Sequence, residues 1–157
     1  MMIQLFDEAG LLPSGVVHDI EERVFPVLLK ILLDHDKELD YANIVLMTDD
    51  ELLEINRQYL NHDYYTDIIT FNYAEEAQPL EGELYISVDR VKEYASANSV
   101  DYISELNRVM IHGFLHLAGY DDNTEIAKNR MQSLENQYIS LIVPRETMDN
   151  DGNVSQI

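Results

Sequence analysis

A chain of 157 residues with 46% hydrophobic content is long enough for one domain with a sizeable core. Ten Lys and Arg against thirty Asp and Glu leave a formal net charge of −20. That is the reverse of the basic surface on which phosphate binding normally rests, so a nucleic-acid role must work through a local cluster, a metal ion or a protein partner.

Without cysteine there is no disulfide framework and no thiolate metal ligand. No apolar run reaches the ~18 residues of a membrane span. "MMIQLFDEAG" lacks the basic and apolar regions of a signal peptide, so a cytoplasmic protein is expected, with no membrane partner.

In chain order, "MIQLFD" (2–7) predicts a short strand. A helical segment from about Gly15 to His35 is interrupted at Pro26, which lacks a backbone donor. Ile44 to Met47 reads as a short apolar strand. Thr48 and Glu51 then make a capping box that starts a helix through about Tyr59. "TDIITFNY" (66–73) is β-branched and aromatic, hence strand.

An acidic loop, "AEEAQPLE" (74–81), leads to "GELYISVDRVKEYASAN", a strand turning into a helix near Ser87. A helix over about 101–118 follows. The last helix runs from about 123 to 142, where Ala127, Met131, Leu134, Tyr138 and Leu141 keep helical spacing. The expectation is one α+β domain over residues 1–142, with a small mixed four-stranded sheet, about five helices and a zincin-like metal helix. Residues 143–157 are expected to form a flexible polar tail.

"HGFLHLAGYDD" (112–122) carries the chemistry. At ~100° per residue, His112 and His116 share one helical face a turn apart, a spacing at which two imidazoles can grip one ion. Gly119 sits where a helix end needs positive φ, and the returning chain can bring Asp121 or Asp122 to the open side. Positions 112, 116, 119 and 122 reproduce the offsets of the metzincin pattern H-E-x-x-H-x-x-G-x-x-H. In an open site of this kind zinc lowers the pKa of bound water to about 7.

Blander readings exist for each residue. Gly119 is explained by helix termination, Asp121 by a turn, and Asp122 with Glu125 by an N-cap for the last helix. The combination favours a metal. A peptidase is disfavoured, because its general base follows the first histidine and here that position is Gly113. Glycine inside a helix costs ~1 kcal/mol relative to alanine, so something is expected to pack closely there.

"HGFLHLAGYDD" resembles the H-G-x-L-H-L-x-G-Y-D-H signature of the YbeY family, the single-strand endoribonucleases of bacterial ribosomal RNA maturation. "TDIITF" (66–71) resembles the family's T-D-V-L-S-F strand, "GELYIS" (82–87) its G-D-I-x-I-S strand, and "MQSLE" (131–135) its downstream Met and Glu. The blocks span about residues 41 to 138 in the family's order.

The resemblance implies His112 and His116 as zinc ligands, with Asp122 where the family's signature closes on a third histidine. A two-histidine, one-carboxylate set also accepts nickel, iron or manganese. Leu60 stands where family members tend to carry an arginine suited to a scissile phosphate. Arg57, a turn earlier, reads as a solvated helix charge.

Glu105, ~10 Å down the helix from His112, is too far to ligate and reads as a surface or supporting group. Arg108 could pair with it at i,i+3. His62 reads as a surface loop residue, His18 and His35 have no constellation, and Tyr59, Tyr64 and Tyr65 are expected in core packing. No residue presents itself as a general base, so catalytic residues stay unassigned.

The function implied is metal-dependent endoribonuclease activity in ribosomal RNA maturation and ribosome quality control. The expected partners are single-stranded RNA and small-subunit components, not DNA. Two alternatives stay open: a ribosome-assembly factor that holds a metal but cuts little, and a metal-dependent hydrolase of small molecules.

Overall fold

The computed structural model describes residues 2–144. The element order is β1 (Ile3–Phe6), α1 (Val16–Arg23), α2 (Phe25–Asp34), β2 (Leu39–Met47), α3 (Asp49–Leu60), β3 (Ile68–Asn72), β4 (Leu80–Ser87), α4 (Val88–Ala97), α5 (Tyr102–Leu117) and α6 (Glu125–Ile139). The sheet order is β1-β2-β4-β3. β1, β2 and β4 are parallel, and β3 runs antiparallel to β4 at one edge, so the sheet is mixed as expected.

The predicted first helix is two. It breaks at Val24, which leaves Pro26 in the first turn of α2, where a missing N–H costs no helical hydrogen bond. β2 begins at Leu39 rather than Ile44, because its first half pairs with both β1 and β4. β4 likewise recruits Leu80 and Glu81 from the predicted loop: Leu80 packs into the core and lies opposite Leu39.

One sheet face is covered by α1, α2, α5 and α6 around a continuous apolar core that includes Leu28, Ile44, Leu84, Met110 and Phe114. The other carries a smaller cluster of Met47, Leu52 and Ile69 under α3. The Thr48–Glu51 capping box is formed in both directions.

α5 lies against the sheet closely because Gly113 allows it. A Cβ there would meet Leu84 Cδ2 at 2.5 Å and Ile68 Cδ1 at 2.9 Å. The helix ends where Gly119, at φ +112°, takes a backbone conformation that side-chain-bearing residues rarely adopt.

At the expected start of the tail, the Val143 carbonyl accepts from the Arg23 guanidinium at 2.9 Å, which ties that residue back to α1. The tail expected beyond it, from residue 145, lies outside the described residues.

Candidate metal centre

α5 presents His112 and His116 on one face near its C-terminal end, and the chain after Gly119 returns Asp122 to the same place. Each imidazole is oriented through its Nδ1. His112 Nδ1–H donates to Glu135 Oε2 on α6 at 2.6 Å, and His116 Nδ1–H donates to the Tyr120 carbonyl at 2.8 Å. A carbonyl oxygen only accepts, so the His116 proton sits on Nδ1; the carboxylate imposes the same tautomer on His112.

The Nε2 lone pairs of the neutral rings therefore face each other, 3.0 Å apart. Asp122 completes the group, with Oδ2 at 3.5 Å from His112 Nε2 and Oδ1 at 3.9 Å from His116 Nε2. Three acceptors converge and no donor lies among them. Such a set is satisfied by a proton on one ring or by a cation. Tetrahedral zinc with bonds of ~2.0–2.1 Å places its ligand atoms about 3.3–3.4 Å apart, so these residues fit a metal ion.

The two histidines are electrostatically unlike. Burial pulls the His112 pKa down, but the hydrogen bond and charge of Glu135, with Asp122 and Asp67, outweigh it and hold the group above the ordinary imidazole value. Burial and the neighbouring His112 hold His116 below that value. Asp67, beside His112, is pushed up by burial.

Glu135 is steadied by Arg108, whose Nη1 donates to Oε1 at 3.1 Å while Nη2 reaches Asn136 Oδ1 at 3.0 Å. Arg108 also lies 4.0 Å from Glu105, as sequence spacing allowed. Glu105 is buried rather than on the surface, and its carboxyl is raised by burial.

The site opens into a cavity of about 490 Å³ bordered by Asn56, Leu60, Tyr64 and β3, with Asp67 and Asp122 as its charged lining residues and no Lys or Arg. A second cavity, of about 520 Å³, shares Asp67 and His112 and extends past Arg108 and Gln132. β3 offers its free edge to the first. Ser87 N–H donates to the Asp67 carbonyl and Tyr73 N–H to the Glu81 carbonyl, so odd positions pair with β4 and the backbone groups of Thr70 and Asn72 face outward.

Asp122 does not cap α6. Thr124 does, accepting from Ala127 N–H at 3.0 Å, which leaves the Asp122 carboxylate free to face the imidazoles. Asp121 is exposed and outside the group. Leu60 borders the cavity, whereas Arg57 is bound to Asp63 at 2.5 Å.

His62 is exposed, as expected, and stacks on Tyr64. His18 lies beside Glu21 and Glu22. His35 does have a setting: its Nε2 accepts from the Tyr120 hydroxyl at 2.9 Å, anchoring the residue whose carbonyl orients His116. Tyr59, Tyr64 and Tyr65 are exposed, not in the core. Sequence reasoning assigned no role to Glu135, Tyr120 or Asp67. Glu135 carried a signal, since "MQSLE" was one of the resemblance blocks, but its partner lies 23 residues away.

A family model described as Endoribonuclease YbeY matches residues 17–142. Curated relatives of that name include one from Cytophaga hutchinsonii, 46% identical over 99 residues (63% of this chain, 69% of the relative). Another, from Phocaeicola vulgatus, is 47% identical over 108 residues (69% and 78%). A third, from Bacteroides thetaiotaomicron, is 39% identical over 124 residues (78% and 90%). The solution structure of TM1509 from Thermotoga maritima is similar at 30% identity and a TM-score of 0.62, covering 88% of this chain and 87% of that one.

Proposed function

The chain belongs to the endoribonuclease YbeY family, and on that premise we propose that it cleaves single-stranded RNA in ribosomal RNA maturation and quality control, at a metal held by His112, His116 and Asp122. The observation that carries the metal reading is the pair of Nε2 lone pairs 3.0 Å apart, with both Nδ1 protons committed elsewhere. Zinc is the proposed ion; nickel, iron and manganese also suit two imidazoles and a carboxylate. When bound, such an ion supplies Lewis acidity and positive charge toward a phosphodiester.

The protein's own groups divide the remaining work. Glu135 and the Tyr120 carbonyl keep both imidazoles in the tautomer that presents Nε2. Asp67, beside His112 and raised by burial, is placed to hold or accept a proton at the edge of the site. The two cavities share Asp67 and His112 in their linings, so a strand laid from one to the other would run past the site, which suits cleavage within a chain rather than at its end. The outward backbone groups of Thr70 and Asn72 can hydrogen-bond unpaired bases, whose edges are free only in single strands.

No helix among the described residues is long and apolar enough to cross a membrane. A cytoplasmic location and contact with small-subunit components are part of the same proposal.

Cleavage of a single-stranded RNA oligonucleotide, with and without chelator and against His116→Ala, tests the activity. Equal cleavage by all three samples removes the nuclease reading. Elemental analysis of the wild type against Asp122→Ala tests the ligand set, with about one equivalent expected only in the former. A second reading, a ribosome-assembly factor that holds the metal but cuts little, is favoured by one observation: Leu60 borders a cavity whose lining has no cation. It predicts full metal content with no chelator-sensitive cleavage.

A further inference from the structure

The loop that joins α3 to β3 carries an aromatic pair to the cavity at the metal centre. Asn61 ends α3 at φ +56°, a conformation that asparagine tolerates, and His62 and Tyr64 then line the same cavity as His112, His116 and Asp122. Their rings stack with centroids 5.1 Å apart and planes 20° apart, and the Tyr64 hydroxyl is hydrogen-bonded to His62 Nδ1 at 3.0 Å. Tyr64 is 56% exposed, so His62 backs the ring without covering it.

The loop is pinned at several points. Asn56, buried on α3, donates from Nδ2 to the Tyr64 carbonyl at 2.9 Å, and its own carbonyl accepts from His62 N–H at 3.1 Å. Asp63, between the two rings in sequence, is bound to Arg57. The neighbouring Tyr65 is committed elsewhere: its hydroxyl donates to Asp50 at 3.2 Å, and the Arg90 guanidinium lies 5.0 Å over its ring. Tyr64 rather than Tyr65 is the ring that this loop leaves open at the cavity.

We propose that the His62–Tyr64 pair is a shelf on which a nucleobase of the RNA strand stacks, a subsite that rests on the RNA reading above. The lining holds two carboxylates and no Lys or Arg, so the phosphates of a strand meet no side-chain cation there and affinity has to come from its uncharged parts. Stacking of a base on an aromatic ring supplies that affinity and tolerates any base, because every base has a π face. It also needs a base that can be splayed out of its own stack, which a single strand offers and a duplex withholds. An apolar side chain of a protein could lie against a tyrosine too, but this shelf borders the residues that hold the metal, where the strand to be cut has to pass.

The test uses the full-length, zinc-loaded protein and two fluorescent phosphorothioate strands of equal length, one a single-stranded RNA and one with every base removed. Binding is read by anisotropy, and by competition for the weaker abasic strand. The expected result is that Tyr64→Ala weakens the Kd for the RNA about tenfold while its Kd for the abasic strand stays within about twofold of wild type. Tyr64→Phe keeps the ring, so it should bind the RNA within about threefold of wild type, and metal content should be equal in all three proteins.

The shelf is overturned if the wild type binds the RNA and Tyr64→Ala matches it. It is equally overturned if Tyr64→Ala weakens both strands alike, the pattern of a disturbed loop rather than an unseated base. A wild type that neither binds this RNA nor cleaves its unmodified counterpart overturns the RNA reading itself, and the shelf with it.

Discussion

Replacing Glu135 with Gln isolates what the carboxylate behind His112 contributes. In the wild type Oε2 accepts from His112 Nδ1–H at 2.6 Å and Oε1 accepts from Arg108 at 3.1 Å. A glutamine has one accepting oxygen, so it can satisfy only one of these donors. Turned toward Arg108, its amide donates to His112 and drives the ring to the tautomer with the proton on Nε2, which removes the ligand lone pair. Turned toward His112, it sets an NH₂ against a guanidinium and still loses the charge that makes the imidazole basic.

Substitutions behind a metal ligand typically weaken binding ~10–100-fold, about 1.4–2.8 kcal/mol, and the upper half of that range is expected here. The sign of the pH dependence follows from competition between metal and proton for His112 Nε2. Glu135 raises the His112 pKa, so wild-type affinity falls as the pH drops through that raised value. In Glu135→Gln the ring protonates only at lower pH. The gap between the two proteins is therefore widest above the wild-type His112 pKa and narrows on acidification. A chromophoric-chelator competition at a series of pH values, with His116→Ala as baseline, measures it. Affinities within twofold of each other throughout, or a gap that widens toward acid, would refute the reasoning.

Other consequences are read with simpler assays. Thr124→Ala should lower the unfolding free energy by the ~1 kcal/mol of a lost N-cap, read in denaturant unfolding, whereas Asp122→Ala should change apo stability by less than ~0.5 kcal/mol while abolishing metal binding; the reverse pattern would return Asp122 to a capping role. Gly113→Val places atoms closer than 3 Å to Leu84 and Ile68, so a loss of about 1–3 kcal/mol is expected in denaturant unfolding, and unchanged stability would contradict the close approach of α5 to the sheet. Tyr73 is pushed up to about 12, first by burial and then by Glu83, so alkaline absorbance titration should find its phenolate late and Glu83→Gln should bring it back toward 10. RNA binding should depend weakly on monovalent salt, with a log–log slope smaller than ~1.4, the value for two neutralised phosphates of a single strand; a steep slope would mean that phosphates meet cations after all.

Much of the fold was legible because local signals and tertiary packing agreed. The Thr48–Glu51 box, the β-branched run at β3 and the helical spacing of α6 all lie within a few residues. Boundaries set by long-range pairing were not legible. Leu39–Asn43 joins β2 only because β1 and β4 flank it, and Leu80 joins β4 because the core takes its side chain. At the site, the helical repeat exposed His112 and His116, and the Gly119 turn offered Asp121 or Asp122, of which the motif offsets and the resemblance singled out Asp122; their orienting groups were hidden for different reasons. Glu135 is distant in sequence, and Tyr120 acts through a backbone carbonyl that every residue possesses. His35 reaches the site through the Tyr120 ring, across 85 residues.

The acidic charge that argued against a nucleic-acid role takes a different meaning once the arginines are located. Arg57 is bound to Asp63, Arg90 to Asp49 at 2.7 Å, and Arg108 to Glu135. These arginines hold the loop before β3, the start of α4 and the support behind His112, so their charge is spent on positioning. A phosphodiester in the metal cavity meets Asn, Thr, Tyr and two carboxylates, and positive charge there has to arrive with the ion. If the proposed ligand set holds an ion, RNA is repelled by most of the surface and attracted at one point, so that substrate binding would depend on metal occupancy. On that proposal Asp122, where the resembling signature closes on a third histidine, would lower the net charge of a loaded site by one unit and weaken phosphate attraction beside Leu60, in a lining without Lys or Arg.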